Sequence, residues 1–228
     1  MPADDAVYYE ATEKVPRATS VLAYARTQMF RLFMAQMQPT AQTTILDIGA
    51  SEHETGEANF LEKMYPYKRN ITCAGIGDGA ELRAANPDVN YVSIKPHEPL
   101  PFPDKSFDIA YSNAVLEHVG GPEQRRFFLL DALRVARGLY MTVPNRWFPV
   151  EHHTALPVLH FLPPLFRWVL RGTKRDHWSR RENLEFLSAS LLRSEWAASM
   201  APDIRYTGIA CGPFSSNIAI ILRPRDPM

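Results

Sequence analysis

Between Thr43 and Pro144 short β-branched runs alternate with helical runs, and no other feature constrains the fold as strongly. "TTILDIGA", "NITCAGIG", "VNYVSIK", "FDIAYSNAV" and "LYMTVP" have the length and composition of buried strands. "EANFLEKMY" is expected to be a helix beginning after Gly56 with Glu57 in its first turn, and "DGAELRAAN" a second helix. "GGPEQRRFFLLDALRVARG" reads as a third. Pro122 suits its first position, and Glu123 its first turn. Phe128, Ala132 and Val135 form one apolar row, Leu129, Leu133 and Ala136 the next, and Gly138 is the expected stop. The connection "PHEPLPFPDKS" carries prolines 96, 99, 101 and 103 and is expected to be irregular. Such alternation predicts an α/β fold whose parallel sheet has helices on both faces.

The flanks read differently. Residues 1–18 look like a loose lead-in, and "SVLAYARTQMFRLFMAQM" carries Leu22, Met29, Phe30, Phe33 and Met34 at helical spacing before Pro39, so 1–40 form a helical N-terminal lead-in. Residues 145–182 are rich in proline, aromatics and histidine and then in basic residues, and are expected to be an insertion or lid. A helix from about Asn183 to Met200 should follow. "DIRYTGIA" and "SSNIAIILR", joined without a long crossover, predict an antiparallel hairpin at one sheet edge. The 228 residues are read as a single domain.

Lys plus Arg equals Asp plus Glu, 25 each, so the chain lacks the positive field that sequence-blind nucleic-acid binding requires, and no nucleic acid is expected as a partner. Cys73 and Cys211 sit in apolar runs and read as small core residues of a reducing compartment. The N-terminus is polar and acidic, unlike a secretory signal, and no run of about 20 apolar residues occurs; the expectation is a soluble, cytoplasmic protein.

In open α/β sheets, ligands bind beyond the carboxyl ends of the strands. Those ends are "DIGAS", "GIGDG", "SNAVLEH" and "TVPNR", with small or polar residues where a core wants bulk. Asp47 is expected to cap the following loop through backbone amides, thereby ordering amides that face an anion or carboxylate. Gly49 lets the backbone approach a ligand with no Cβ in the way. No Gly-x-Gly-x-x-Gly occurs, which argues against a dinucleotide. Tyr91 and Lys95 have the spacing of a dehydrogenase pair, but on a strand they stand about 13 Å apart and cannot share a substrate hydroxyl.

Candidate acid–base residues are His118 after the fourth strand, and Glu151, His152 and His153 after the fifth, all expected to face the cleft. His118 reads equally well as a helix-end histidine satisfied by backbone, and "EHH" also reads as a loop-ordering cluster. No metal is expected, because His152, His153 and His160 lack metal-ligand spacing and no cysteine is near. "ALPVLHFLPPLFRWVL" packs as a helix pair over the sheet or presents an apolar face to a lipid-linked acceptor. In the second case Arg171, Lys174, Arg175, Arg180 and Arg181, with Trp178 among them, would meet phosphates.

"ILDIGA", "LPFPDKSFDIAYSNAVLEHV" and "TVPNRWFPVEHHTALPVLHFLP" resemble the class I, Rossmann-like S-adenosylmethionine-dependent methyltransferases of the methyltransferase type 11 group. The middle phrase is the most specific, and the likeness runs from about Thr43 to Arg171. "HWSRRENLEFLS" is also similar to a bacterial subgroup linked with glycan or lipid-linked sugar tailoring. The resemblance implies a doubly wound sheet ordered 3-2-1-4-5-7-6 with strand 7 antiparallel, and S-adenosyl-L-methionine as cofactor. It further implies methyl transfer to an oxygen or nitrogen of a small molecule or saccharide. Asp47 and Gly49 match the first motif, Asn113 and Ala114 match the loop after strand four, and Ala50 and Ser51, which follow Gly49, are expected to line the cofactor site with them. The chain departs from the pattern at three places. Ala50-Ser51-Glu52-His53 replace a small residue and Gly-x-Gly. Gly77 stands where an acidic residue grips the ribose, with Asp78 one place later as its expected substitute. Lys95-Pro96, with His97 and Glu98 behind, replace the residue that meets the adenine amine. Two other readings stay open: a methyltransferase-fold scaffold that has lost its ligand, and an RNA-modifying methyltransferase.

Overall fold

The computed structural model describes residues 16–54, 58–196, 200–212 and 214–224. Its sheet has seven strands: β1 Ile45–Ile48, β2 Ile71–Gly75, β3 Asn90–Ser93, β4 Phe107–Asn113, β5 Ala136–Pro144, β6 Asp203–Cys211 and β7 Phe214–Leu222. The order is β3-β2-β1-β4-β5-β7-β6, as the resemblance implied. The first five strands are parallel, and β7 runs antiparallel between β5 and β6. The expected hairpin is therefore the sheet edge.

The helices are α1 Pro16–Met37, α2 Phe60–Met64, α3 Ala80–Ala85, α4 Pro122–Val135, α5 Pro163–Leu170 and α6 Ala189–Trp196. One apolar layer joins α4 and α6 to the sheet through Leu129, Ala132, Val135, Leu192 and Trp196 against Leu46, Ala110, Leu139, Met141 and Ile218. The other joins α1 and α2 to the opposite face through Met29, Phe33, Phe60 and Leu61 against Ile45, Ile71, Tyr111 and Tyr140. The Tyr140 hydroxyl donates to the Met29 carbonyl at 2.8 Å, so α1 is held by a buried hydrogen bond as well as by packing. A third cluster, Phe166, Leu170, Trp178, Leu184 and Phe186, is the insertion's own core. Among the described residues no helix is long and apolar enough to cross a membrane.

Three boundaries differ from the sequence reading. The helix expected to stop at Gly138 ends at Val135, and Gly138 lies inside β5. A Cβ there would press on the Pro224 ring, so the glycine answers a tertiary approach, not a helix end. The helix expected from Asn183 begins only at Ala189, because residues 184–188 form no regular element and part of their backbone is engaged elsewhere. Glu185 N donates to Glu117 O at 2.9 Å, and Arg146 N to Leu187 O at 2.9 Å. The helix expected after Gly56 is formed at Phe60–Met64, while Gly56 and Glu57, like residues 1–15, lie outside the described residues.

Candidate active site

Two cavities flank Gly49 at the carboxyl ends of the strands. The larger encloses about 100 Å³ and is mainly apolar, lined by Ile48, Gly75, Ile76 and Ile94 on one side and by Val115, Val119, Phe127 and Phe128 on the other. Lys95, Pro96, His97 and Glu98 form its rim, where the third-strand loop was expected to contribute, and Lys95 pairs with Glu98 at 3.6 Å. The smaller cavity is polar, encloses about 30 Å³, and is lined by Arg26, Asp47, Ala50, Ser51, Asn59, Tyr111 and Asn113. Gly49 belongs to both walls. Its φ is +90° and a Cβ would overlap Val115, so only glycine can occupy the partition.

The loop after β1 is ordered by Asn59. Its Oδ1 accepts from Ser51 N at 2.9 Å, and its Nδ2 donates to Ser51 O at 3.1 Å and to Glu54 Oε2 at 2.7 Å. Ala50 packs where Gly75 leaves room for its carbonyl. Asp47 does not have the capping role expected of it. Its buried carboxyl meets that of Glu62 on α2, whose Oε1 accepts from Cys73 Sγ at 3.1 Å. Burial, then repulsion from Glu62, pushes Asp47 well above the usual carboxylate range. Asp47 thus anchors α2 beneath the polar cavity while still lining it. Asn113 lines it too, oriented by Thr142, whose Oγ1 donates to Asn113 Oδ1 at 2.6 Å. Ala114 turns the chain away with φ +54° and donates its N–H to Thr142 O at 2.8 Å.

At the end of β2 the sequence reading meets its largest revision. Asp78 turns to the first turn of α3, where its Oδ1 accepts from Ala80 N at 2.8 Å. The carboxylate that covers Gly77 is that of Glu52, which a Cβ on Gly77 would overlap. Where the end of strand two lacks an acid, a carboxylate from the loop of strand one therefore lies over Gly77. Arg26, from a helix read as lead-in, is the other residue the sequence did not flag. No local spacing marks either residue, although an acid in the first loop paired with a glycine at the second strand end is a signal in retrospect.

Three of the four candidate acid–base residues converge 35 residues apart in the chain. His153 Nε2 and His118 Nε2 are 3.1 Å from each other. His153 Nδ1 meets Glu151 Oε1 at 2.8 Å, and His118 Nδ1 meets Asn183 O at 2.7 Å. Glu151 Oε2 also accepts from Thr154 N at 2.7 Å and Oγ1 at 2.6 Å. Trp178 covers both rings, with centroids at 4.6 Å from His153 and 5.8 Å from His118. These groups are enclosed instead of facing an open cleft, because the insertion folds over them. Burial, and then the charge of His153, lowers His118 to about 3. Burial also works against charge on His153, but the Glu151 and Glu117 carboxylates outweigh it and raise the ring. Burial disfavours the Glu151 carboxylate as well, yet His153 and the Thr154 bonds hold it below the usual range. Burial lifts Glu117 to about 7. His152 is separate: it stacks on Phe148 at 5.7 Å and lines a small cavity with Glu117, Asn145, His160 and Phe186. The expectation about metal concerned His152, His153 and His160, whereas among the described residues the ligand atoms that gather within 4.8 Å are those of Glu117, His118 and His153.

Residues 46–138 match the family described as a methyltransferase domain. This is a Rossmann-like S-adenosylmethionine-dependent methyltransferase fold. Solved methyltransferases share it end to end. The N-methyltransferase NodS from Bradyrhizobium japonicum WM9, in complex with S-adenosyl-L-homocysteine, aligns with TM-score 0.61 at 10% identity, covering 98% of this chain and 99% of that one. A possible histamine N-methyltransferase from Thermotoga maritima aligns with TM-score 0.59 at 14% identity, covering 96% and 99%. A methyltransferase from Aquifex aeolicus aligns with TM-score 0.54 at 12% identity, covering 91% and 92%. No curated protein matches the chain. The family match supports a methyltransferase whose cofactor is S-adenosyl-L-methionine. The residues fit that ligand, since an apolar cavity and a polar one share a glycine wall and the ligand joins an apolar base to a charged amino acid.

Proposed function

We propose that this methyltransferase transfers a methyl group from S-adenosylmethionine to an oxygen or nitrogen of a small molecule or saccharide. The observation that carries the reading is the pair of unlike cavities on either side of Gly49. The apolar cavity accepts the adenine between Ile76 and Phe128. The polar cavity accepts the methionine end, with Arg26 toward its carboxylate and Asn113 toward its amine. Glu52, lying across Gly77, accepts from the ribose hydroxyls in place of the absent strand-two acid, each such charge-assisted bond contributing about 1.5–3 kcal/mol. When bound, the sulfonium supplies an activated methyl group. The chain's part is to hold the nucleophile in line and to exclude water. Titration calorimetry with S-adenosylhomocysteine tests the reading. Micromolar binding supports it, and absence of heat at millimolar ligand would return the chain to the scaffold reading.

One observation favours a lipid-linked acceptor. The helix α5 turns Phe166 and Leu170 inward and leaves Leu162 at 62%, Trp168 at 72% and Leu165 at 42% exposed. Beside them Arg171, Lys174 and Arg175 are exposed, while Arg180 and Arg181 are drawn into ion pairs with Asp176 and Glu185. An apolar ridge bordered by cations suits a peripheral approach to an anionic membrane surface. Flotation with anionic vesicles tests it: co-flotation that salt and Trp168→Ser both reduce supports the approach, and a protein that stays at the bottom of the gradient rejects it.

A further inference from the structure

The histidine pair poses a problem of protons. Asn183 O and the Glu151 carboxylate can only accept, so the Nδ1 atom of each ring must carry a hydrogen. In the neutral imidazoles both Nε2 atoms are then lone pairs, and they point at each other across 3.1 Å. Glu117 adds a third. Its side chain is 1% exposed, neither of its oxygens has a hydrogen-bond partner among the described residues, and Oε1 stands 3.8 Å from His118 Nε2. Two ring nitrogens and a carboxylate thus gather their ligand atoms in one small volume, all within 4.8 Å of one another.

Two positive species are small enough to join these groups. A proton shared along the line between the two nitrogens satisfies the rings but gives Glu117 no hydrogen-bond partner among the described residues. A metal ion satisfies all three groups at once. Tetrahedral zinc with Zn–N bonds of 2.0–2.1 Å places two imidazole nitrogens about 3.3 Å apart. The observed separation is 3.1 Å, and all the ligand atoms lie within 4.8 Å of one another. The surroundings also match a metal centre. Ligating histidines donate their second N–H to a carboxylate or a backbone carbonyl, and here His153 has Glu151 while His118 has the carbonyl of Asn183. Thr154 fixes Glu151 in turn, and Trp178 closes the site against solvent.

We propose that Glu117, His118 and His153 form a binding site for a divalent first-row transition metal ion, zinc being the best match to two imidazoles and a carboxylate. Three protein ligands leave one position open, the arrangement of zinc sites that bind a substrate oxygen or water rather than serve only as a staple. Glu117 and His153 both line the small cavity with His152 and His160, so the open position has somewhere to face. The binding claim does not depend on methyl transfer. A role for the ion in acidifying an acceptor hydroxyl rests on the proposed function and follows from it.

The test is a metal titration of the full chain after chelator treatment, with zinc, manganese and magnesium chlorides in parallel. One zinc per chain bound in the micromolar range or tighter, with magnesium at least 100-fold weaker, is the expected result. Glu117→Gln, His118→Asn and His153→Asn should each lose at least tenfold in zinc affinity, while His152→Phe keeps it. X-ray absorption of the zinc-loaded wild type covers the case of variants that fail to fold; two imidazoles and one or two oxygens in the first shell support the site. No zinc binding, equal binding in all variants, or a shell without imidazole overturns it. Titration with S-adenosylhomocysteine in the same metal-free protein separates the two readings, since cofactor binding should persist without the ion.

Discussion

The cofactor cleft and the histidine cluster both stand beyond the carboxyl ends of the strands of one sheet and are built by opposite means. The cleft is made by side chains that are missing or small: Gly49, Ala50 and Gly75 line its two cavities, and Gly77 and Ala114, both with positive φ, turn the chain at the neighbouring strand ends. The cluster is made by side chains that are present, buried and mutually oriented, with Glu117, His118, Glu151 and His153 under Trp178. The difference follows from what each region has to admit. A cleft for a nucleoside needs empty volume and backbone within reach, so added atoms break it. A site for something the size of an ion needs fixed lone pairs, so deleted atoms break it.

The largest expected effect is an addition to the cleft. Gly49→Val forces a β-branched residue into φ +90° and against Val115, a backbone strain of about 1–3 kcal/mol before the clash is counted. Binding of S-adenosylhomocysteine should fall by at least about 100-fold, measured by calorimetry on protein whose circular dichroism is unchanged. Normal affinity would mean that the ligand does not lie across this glycine. Next comes the choice between the two acids at the end of β2. Glu52→Ala should weaken binding by about 1.5–3 kcal/mol, roughly 10- to 150-fold. Asp78→Ala should leave affinity nearly unchanged and lower stability by about 1 kcal/mol through loss of its bond to Ala80 N. The reverse order of affinities would return the ribose grip to Asp78.

A pH series sharpens the other side. Burial, then repulsion from His153 and His160, lowers His152 to about 4 against an ordinary 6.5. A group depressed on folding contributes stability that is present above its unfolded value and lost as pH falls toward its folded value. In His152→Phe, which keeps the stack on Phe148, that acid loss disappears. The variant should gain about 1–3 kcal/mol on the wild type between pH 6.5 and 4, read from urea denaturation at several pH values. A constant gap would show that His152 takes up protons as freely folded as unfolded. The smallest effect belongs to the exposed ridge. Trp168→Ser should change stability by no more than about 0.5 kcal/mol, since the ring is 72% exposed, and a larger loss would place Trp168 in the packing of the insertion.

Legibility in the sequence followed the range of the interaction. The strands from Ile45 to Pro144 and the hairpin after them could be read because a strand's composition and a helix's apolar rows are properties of neighbouring residues. Gly49 and Asn113 could be placed because the topology alone puts those strand ends at a crevice. Gly138 was misread because a glycine after a helix has two uses, and only the approach of Pro224 shows which applies. Asp47 was expected at a loop and faces Glu62, because nothing in "ILDIGA" reveals the helix that packs behind it.

The chain alone therefore determined the layered α/β architecture, the strand ends at which chemistry is possible, and the absence of a dinucleotide loop. Each of these depends on residues within a few positions of one another. Tertiary structure decided that Glu52 covers Gly77, that Arg26 hangs over the polar cavity, and that His118 meets His153 beneath Trp178. Those contacts join residues from different elements, and their geometry is set by how the sheet twists and how the insertion packs on it, which no local pattern encodes.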